Sequence, residues 1–227
     1  MCGVIGIISK NIIEKSIINT LLIKSKIRGQ HATGITYLDK DMLKSQVIPK
    51  NATHINSSNV NTKIIIGHTR YSTSSLEYNQ PIFNNDVSIV HNGVITQDDS
   101  NNWDNRTYKF KTKNDSEFVL KSYINNEHPI KAYPNASIAS IIYDNKNKLL
   151  HFFRNEKRPL YYTKFTESII IASTQDILKR AGFVNTKIYK CKPCINYCVK
   201  NDLTIYETLI KKPTRDLQWK IGHGVMK

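Results

Sequence analysis

The sequence predicts an α+β fold, because strands and helices come in groups along the chain instead of alternating one by one. Near the N-terminus, a buried strand is followed by an amphipathic helix, and further strands follow a glycine-punctuated turn. Between residues 136 and 173, four short apolar runs are joined by polar segments, which is the pattern of antiparallel hairpins. This grouping favours layered antiparallel sheets over a doubly wound parallel sheet.

The N-terminal elements are predicted from the spacing of apolar residues. Residues 4–8, VIGII, are predicted to form a buried strand. Over residues 11–27, apolar side chains recur at helical spacing, and Asn11 with Glu14 three positions later resembles a capping box. The glycine-containing turn that follows leads into a predicted strand over residues 35–38.

The remaining elements follow the same two periodicities. Strands are predicted over residues 63–67 and 87–91, on either side of a polar loop, and a helix over residues 114–124. After the hairpins, residues 173–182 predict a short helix. The residues expected to cap this helix are Ser173 or Thr174 at its start and Gly182 at its end.

The composition is that of a globular protein, with 40% hydrophobic and 22% charged residues. No apolar run approaches the ~20 residues that a transmembrane helix needs, and the N-terminus lacks the pattern of a signal peptide. We therefore expect a cytoplasmic protein with no membrane partner. Four cysteines in 227 residues are too few for a disulfide scaffold and predict reduced thiols.

The formal net charge of +15 is unusual for a chain of this size. Such a charge could attract nucleic acid, an acidic protein or an anionic substrate. The lysines are spread along the whole chain, however, and Lys, Asn and Ile, which are all abundant here, share A/T-rich codons. Composition is therefore the simplest explanation, and nucleic-acid binding stays an open but disfavoured alternative.

The strongest signal is an ordered series of motifs. MCG at residues 1–3 is followed by RGQHATGI at 28–35, IGHTRYST at 66–73, IVHNGVI at 89–95 and KNDSE at 113–117. The short motif QPI lies between the third and the fourth. In this order the motifs resemble the glutaminase domain of class II glutamine amidotransferases, and the likeness extends over roughly residues 2–205.

The resemblance implies a fold and an activity. The family belongs to the N-terminal nucleophile hydrolases, which stack two antiparallel sheets between helical layers in a four-layer sandwich. Its members hydrolyse the side-chain amide of glutamine to glutamate and ammonia, which normally passes to a synthase active site. The roles that the resemblance implies are nucleophile for Cys2, oxyanion donors for Asn92 and Gly93, glutamine ligands for Arg70, Thr73 and Asp115, and loop support for Arg28, Gly29 and Gly34.

The chemistry of Cys2 supports its role. Removal of Met1 would leave one residue carrying both a thiol nucleophile and an α-amine, two groups that titrate within about one pH unit of each other. The amine, directly or through a water, could then take the thiol proton and later return it to the departing ammonia. The alternative is that Cys2 is a small buried residue at the start of a strand.

The other predicted residues also have structural alternatives. Asn92 and Gly93 offer an amide and a backbone N–H to an oxyanion, yet an Asn-Gly pair is also typical of a tight hairpin turn. Arg70 offers a forked guanidinium to the glutamine carboxylate, and Asp115 a carboxylate to its ammonium group. As alternatives, Asp115 could cap the following helix and Arg70 could lie on the surface of a strand.

The sequence also departs from the family pattern. His31 stands where the family commonly has aspartate, and Ser74 and Ser75 follow RYST where a glycine is common. These changes affect the loop expected to close over glutamine. We interpret His31, and also His68 and His91 within the motifs, as structural histidines.

Three cysteines near the C-terminus raise the question of a metal site. Cys191 and Cys194 have a CxxC spacing and Cys198 follows, but no fourth ligand is evident nearby. We expect buried or half-buried strand cysteines, no metal and no cofactor.

The organisation predicted is one glutaminase domain over residues 1–227, with a short tail from about residue 206. No synthase domain fits in this length, so the sequence predicts a stand-alone subunit that supplies ammonia to a separately encoded acceptor enzyme. Two alternatives stay open. One is an amidase for a different amide, and the other is a catalytically idle member used as a binding or regulatory subunit.

Overall fold

The computed structural model describes residues 2–72, 76–103 and 108–212. Its helices are α1 Lys15–Ser25, α2 Glu117–Ile124, α3 Pro129–Ala132 and α4 Gln175–Arg180. Its strands are β1 Gly3–Ser9, β2 Ala32–Asp39, β3 Met42–Ile48, β4 Ile64–Arg70, β5 Ile82–Phe83, β6 Val87–Val94, β7 Ser137–Asp144, β8 Leu149–Arg154, β9 Tyr161–Phe165, β10 Ser168–Ala172, β11 Ile188–Lys190, β12 Ile195–Val199 and β13 Ile205–Leu209.

These strands form two sheets. One has 7 strands in the order β11-β9-β10-β1-β4-β2-β3, and the other has 6 in the order β13-β12-β8-β7-β6-β5. The strand pairs in both sheets are antiparallel. The predicted α+β class and the two antiparallel sheets are therefore confirmed.

The sheets and helices stack in four layers. The inner core lies between the sheets and includes Val4 of β1 and Phe152 of β8. Helices α1 and α4 cover the outer face of the seven-stranded sheet, while α2 and α3 cover the outer face of the six-stranded sheet. Strand β1 is buried on both faces, which explains its run of apolar residues.

The predicted caps were wrong for helix α1 and correct for helix α4. Helix α1 begins at Lys15, with Glu14 as an N-cap that makes no side-chain hydrogen bond, so the capping box with Asn11 is wrong. The Asn11 amide group instead donates to the Glu167 carboxylate at 2.6 Å. At α4, the Thr174 hydroxyl accepts a hydrogen bond from the Ile177 N–H, and Gly182 has a φ of 103°, as expected for cap and stop.

The predicted hairpins lie in two sheets. Strands β7 and β8 belong to the six-stranded sheet and β9 and β10 to the seven-stranded one, so the chain crosses between sheets at residues 155–160. Residues 206–209, assigned by the sequence to a tail, belong to β13 and pair with β12. The rest of the predicted tail, from residue 213, lies outside the described residues.

None of the helices in the described ranges combines the length and the hydrophobicity that crossing a membrane requires.

Candidate active site

Cys2 lies directly before β1, between the neighbouring strands β4 and β10 of the seven-stranded sheet. Its side chain is half-buried, and its Sγ lies 3.9 Å from the carbonyl oxygen of Tyr71, which follows β4. The Arg28 side chain donates from Nε to the Cys2 carbonyl oxygen at 3.3 Å. The backbone of Cys2 is therefore fixed while its thiol faces the end of β4.

A cavity of about 560 Å³ opens beside this thiol. It brings together residues that are distant in sequence but were predicted to act together, namely Cys2, Arg70, Gly93 and Asp115. The remaining residues that line it are His68, Tyr71, Ser72, Gln80, His91, Val94, Thr96, Gln97, Asp98, Trp103, Lys113, Asn114 and Ser116. Both sheets thus contribute to one site, through the ends of β1, β4 and β6.

Opposite charges face each other in this cavity. Arg70 is half-buried at the end of β4, where its Nη1 donates to the Tyr78 carbonyl oxygen at 2.6 Å and to Asn79 Oδ1 at 2.7 Å. Burial lowers the pKa of the Arg70 guanidinium, and the nearby Cys2 and Asp115 oppose that shift. Arg70 is therefore part of the cavity wall and not a surface strand residue.

The Asp115 carboxylate is held by a backbone group outside its helix. Its Oδ2 accepts a hydrogen bond from the Ile95 N–H at 2.6 Å, just beyond β6. Helix α2 has Ser116 as its N-cap, without a side-chain hydrogen bond. The interpretation of Asp115 as a helix cap is therefore wrong, and the carboxylate is oriented by the strand that carries Asn92 and Gly93.

Asn92 and Gly93 lie within β6, paired with Ala139 and Ile138 of β7, so the hairpin-turn alternative is wrong. Asn92 is only 2% exposed, and its Nδ2 has no hydrogen-bond partner among the described residues. Leaving a buried amide donor unpaired costs about 1–3 kcal/mol. Such a donor directly before a cavity-lining glycine is suited to an oxygen that arrives with a ligand.

His68, which lines the cavity, also has a buried side-chain nitrogen without a partner among the described residues. It is 1% exposed on β4, and its Nε2 lacks a partner within the described ranges. Burial, with smaller contributions from Arg70 and His91, lowers the pKa of His68 to about 3. The ring is therefore neutral at physiological pH and is poorly suited to act as a general acid.

A hydrogen-bond network holds the segment that carries Asn92. The Gln80 side chain accepts from the His91 N–H at 2.6 Å and donates to the His91 carbonyl oxygen at 3.0 Å and to Ser116 Oγ at 2.9 Å. His91 donates from Nε2 to the Ser137 carbonyl oxygen at 3.1 Å, so its Nδ1 accepts from Ser116 Oγ at 2.9 Å. Burial lowers the pKa of His91, consistent with a neutral ring. Both ring nitrogens of His91 are thus engaged in hydrogen bonds within the fold.

Gln80 and Ser116 were not predicted to have a role in the site. For Gln80, the signal available in the sequence was a polar residue directly before the proline of the QPI motif. In the structure this residue is only 4% exposed.

Two of the predicted support glycines are required by close backbone approach. A Cβ on Gly29 would lie 2.3 Å from the Arg70 carbonyl carbon, and one on Gly34 would lie 2.1 Å from the Gln80 carbonyl oxygen. Gly29 therefore allows the loop beside Cys2 to pack against the end of β4. Gly34 lies on β2 and not in a turn. Its lack of a side chain leaves room for the backbone of Gln80, whose side chain hydrogen-bonds to His91.

Thr73, predicted to contact the substrate, lies outside the described residues, as do Ser74 and Ser75.

The C-terminal cysteines are arranged differently from the prediction. Cys191 and Cys194 lie in the connection between β11 and β12, and only Cys198 lies on a strand. Burial raises the pKa of Cys194 to about 11 and that of Cys191 further. Within the described ranges, no group of three His, Cys, Asp or Glu side chains could hold a metal ion.

The sequence profile of the glutamine amidotransferase domain family matches residues 51–214, more than half of the chain. The chain belongs to this family. Together with the class II motifs and the two-sheet sandwich, the match identifies a class II glutamine amidotransferase domain of the N-terminal nucleophile type.

Curated relatives are longer than this chain. An amidophosphoribosyltransferase of Pyrococcus horikoshii is 30% identical over 144 residues, which cover 57% of this chain and 31% of the relative. A glutamine–fructose-6-phosphate aminotransferase of Bartonella henselae is 24% identical over 240 residues, covering 96% of this chain and 39% of the relative. The chain therefore spans about a third of the length of these relatives.

The fold is also similar to solved structures. The glutamine phosphoribosylpyrophosphate amidotransferase of B. subtilis, complexed with ADP and GMP, superposes with a TM-score of 0.76 at 21% identity, over 93% of this chain and 50% of that one. A second structure, described as the allosteric regulatory enzyme of purine biosynthesis, gives a TM-score of 0.77 at 20% identity, over 93% of this chain and 49% of that one. At these identities the likeness establishes the fold alone.

Proposed function

We propose that this domain hydrolyses the side-chain amide of L-glutamine to glutamate and ammonia, with Cys2 as the nucleophile. The observation that carries the proposal is the convergence of Cys2, Arg70, Gly93 and Asp115 on one cavity of about 560 Å³. Hydrolysis of a zwitterionic amide requires four groups in the enzyme, namely a thiol, an anion-binding donor, a cation and an anion.

The substrate is bound by its charged end. Arg70 pairs with the α-carboxylate, for which a planar guanidinium offers two parallel donors, and Asp115 pairs with the α-ammonium group. Thr73 adds a hydroxyl contact in this proposal. These contacts direct the side-chain amide toward Cys2, so that the carbonyl carbon lies next to Sγ.

Acylation begins after removal of Met1 exposes the amine of Cys2. The amine takes the thiol proton as Sγ bonds to the amide carbon, and the carbonyl oxygen becomes an oxyanion. The Asn92 Nδ2 and the Gly93 N–H donate to that oxyanion. The C–N bond then breaks, and the amine returns its proton to the leaving nitrogen, which departs as ammonia and leaves a glutamyl thioester on Cys2.

Deacylation reverses these roles for water. The free amine of Cys2 takes a proton from a water molecule as its oxygen attacks the thioester carbon. The same oxyanion donors stabilise the second tetrahedral intermediate. The C–S bond breaks, the thiol recovers its proton from the ammonium group, and glutamate leaves through the mouth of the cavity.

The ammonia is proposed to reach an acceptor enzyme encoded separately. The curated relatives support a coupled acceptor, since their names describe transfer to a phosphorylated sugar. The net charge of +15 would favour an acidic partner surface. We further propose that residues 1–227 form one domain; the expected cytoplasmic location stays a prediction.

The test is an assay of glutamate and ammonia release by the wild-type chain, Cys2→Ala and Cys198→Ala. Cys198 is a matched control because it is also a half-buried free thiol. We expect equimolar products from wild type and Cys198→Ala, and a loss of about 10⁴-fold or more in Cys2→Ala. Intact mass must show that Met1 is absent from the active protein.

Other outcomes favour the alternatives. Glutamine binding without turnover in the wild-type chain, tested alone and with its copurified partner, would favour a regulatory subunit. Release of ammonia from another amide but not from glutamine would favour a different amidase.

A further inference from the structure

His31 contacts the wall of the cavity although it lies outside it. Its Nδ1 accepts a hydrogen bond from the Ser72 N–H at 2.9 Å, and its backbone N–H donates to the Arg70 carbonyl oxygen at 2.9 Å. Its ring lies 4.9 Å from that of Tyr71 at an interplanar angle of 31°. One exposed histidine thus contacts three consecutive residues at the end of β4.

Those three residues line the same cavity as Cys2. Tyr71 and Ser72 line the cavity with Arg70, and the Tyr71 carbonyl oxygen is 3.9 Å from Cys2 Sγ. The strand β4 and its pairing with β2 end at Arg70, so Tyr71 and Ser72 lie beyond the strand pairs that the structure describes. The bond from the Ser72 N–H to His31 fixes the backbone at this point.

We propose that His31 is a positioning residue, which holds Tyr71 and Ser72 in the orientation that glutamine binding requires. The inference rests on the proposed function, and it assigns to His31 an effect on substrate affinity through the Ser72 N–H. The histidine does not touch the reacting atoms. It acts through the backbone that forms the wall between Cys2 and Arg70.

The chemistry of the ring defines the role. As an acceptor, Nδ1 carries no proton, so the neutral ring has its proton on Nε2. An asparagine side chain places its Oδ1 at the same number of bonds from Cα as Nδ1, and it also accepts. A phenylalanine side chain keeps a ring against Tyr71 but has no acceptor. The two substitutions therefore separate hydrogen bonding from packing.

The first measurement is glutamine hydrolysis by His31→Phe and His31→Asn, with His54→Asn as the control at another exposed histidine. We expect KM to rise about 5- to 20-fold in His31→Phe with kcat changed less than about threefold, because one backbone hydrogen bond is lost. His31→Asn and the control should stay within about twofold of wild type. A wild-type KM in His31→Phe, or the same defect in His31→Asn, would overturn the proposal.

The second measurement does not depend on activity. Amide hydrogen exchange of Ser72, followed by NMR, should be about tenfold faster in His31→Phe than in wild type, and close to wild type in His31→Asn. Equal exchange rates in the three proteins would refute the role of His31. A wild-type chain without glutaminase activity would refute the proposed function but not this contact, so exchange would then decide the inference.

Discussion

Two buried asparagines, Asn92 within β6 of the six-stranded sheet and Asn155 directly after β8, differ in how their amides are used. Asn155 is 4% exposed; its Oδ1 accepts from the Ile138 N–H at 3.1 Å, and its Nδ2 donates to the Ala136 carbonyl oxygen at 2.8 Å. Asn92 is 2% exposed, on the other side of β7, and its Nδ2 has no partner in the described part of the chain. Both amides are equally removed from water.

The difference separates a folding role from a ligand role. Asn155 forms hydrogen bonds with backbone groups that would otherwise be buried without partners, and these bonds offset the cost of removing its amide from water. Asn92 contributes no such bond through Nδ2, and in the proposed mechanism this amide donates to the oxyanion. A buried donor without a partner is therefore a better indication of function here than burial itself.

The largest expected effect is on catalysis by Asn92→Ala. Loss of one oxyanion donor should reduce kcat by about 10²- to 10³-fold with little change in KM. The free energy of unfolding, measured by urea denaturation, should change much less than in the corresponding Asn155 variant. Retention of more than a tenth of the wild-type kcat would contradict the role of Asn92.

The reverse pattern is expected for Asn155→Ala. This change leaves the Ile138 N–H and the Ala136 carbonyl unpaired, so we expect the free energy of unfolding to fall by about 2–4 kcal/mol. The kcat of the protein that remains folded should stay within about threefold of wild type. A catalytic defect as large as that of Asn92→Ala would remove the contrast between the two asparagines.

Arg70→Lys tests whether Arg70 binds the α-carboxylate of glutamine. Lysine keeps the charge but not the forked geometry, so KM should rise about 10- to 100-fold with a smaller change in kcat. Arg158→Lys, also a half-buried arginine but outside the cavity lining, is the control. A KM within twofold of wild type in Arg70→Lys would exclude carboxylate binding by this residue.

The smallest effect concerns pH and His68. Its folded-state pKa of about 3 lies below its ordinary value of 6.5, so only the unfolded chain gains a proton as pH falls between these values. Folding stability is therefore fully present above about pH 6.5 and is lost on acidification. We expect the free energy of unfolding of His68→Gln, measured by urea denaturation between pH 6 and 4, to depend less steeply on pH than that of wild type. The difference in slope should be up to about 1.4 kcal/mol per pH unit. An unchanged slope would contradict the burial of a neutral ring.

Much of the fold could be predicted because its central elements have strong patterns. Strand β1 is buried on both faces, and the runs that form β7 to β10 are apolar enough to be recognised. Strand β3 was not predicted, since it lies at a sheet edge and its residues are exposed or half-buried, without a buried face. Its position is set by pairing with β2, which no local pattern reveals.

The site was predicted from motifs, but its physical arrangement was not. Asn92 and Gly93 look like a turn in the sequence because the dipeptide is typical of one, whereas pairing with β7 keeps them in a strand. The clamp made by Gln80 depends on a contact with His91 across the fold, and Asp115 is oriented by the Ile95 N–H. These are tertiary contacts, so spacing along the chain could not identify them.

The central claim is that Cys2 attacks a glutamine bound between Arg70 and Asp115. The most direct measurement uses a glutamine analogue with a diazomethyl ketone in place of the amide, followed by peptide mass spectrometry. If Cys2 is the nucleophile, we expect one adduct per chain on Cys2, formed with loss of N₂, slowed by excess glutamine and strongly reduced in Arg70→Lys. Labelling of Cys198, or labelling of Cys2 that glutamine does not slow, would contradict it.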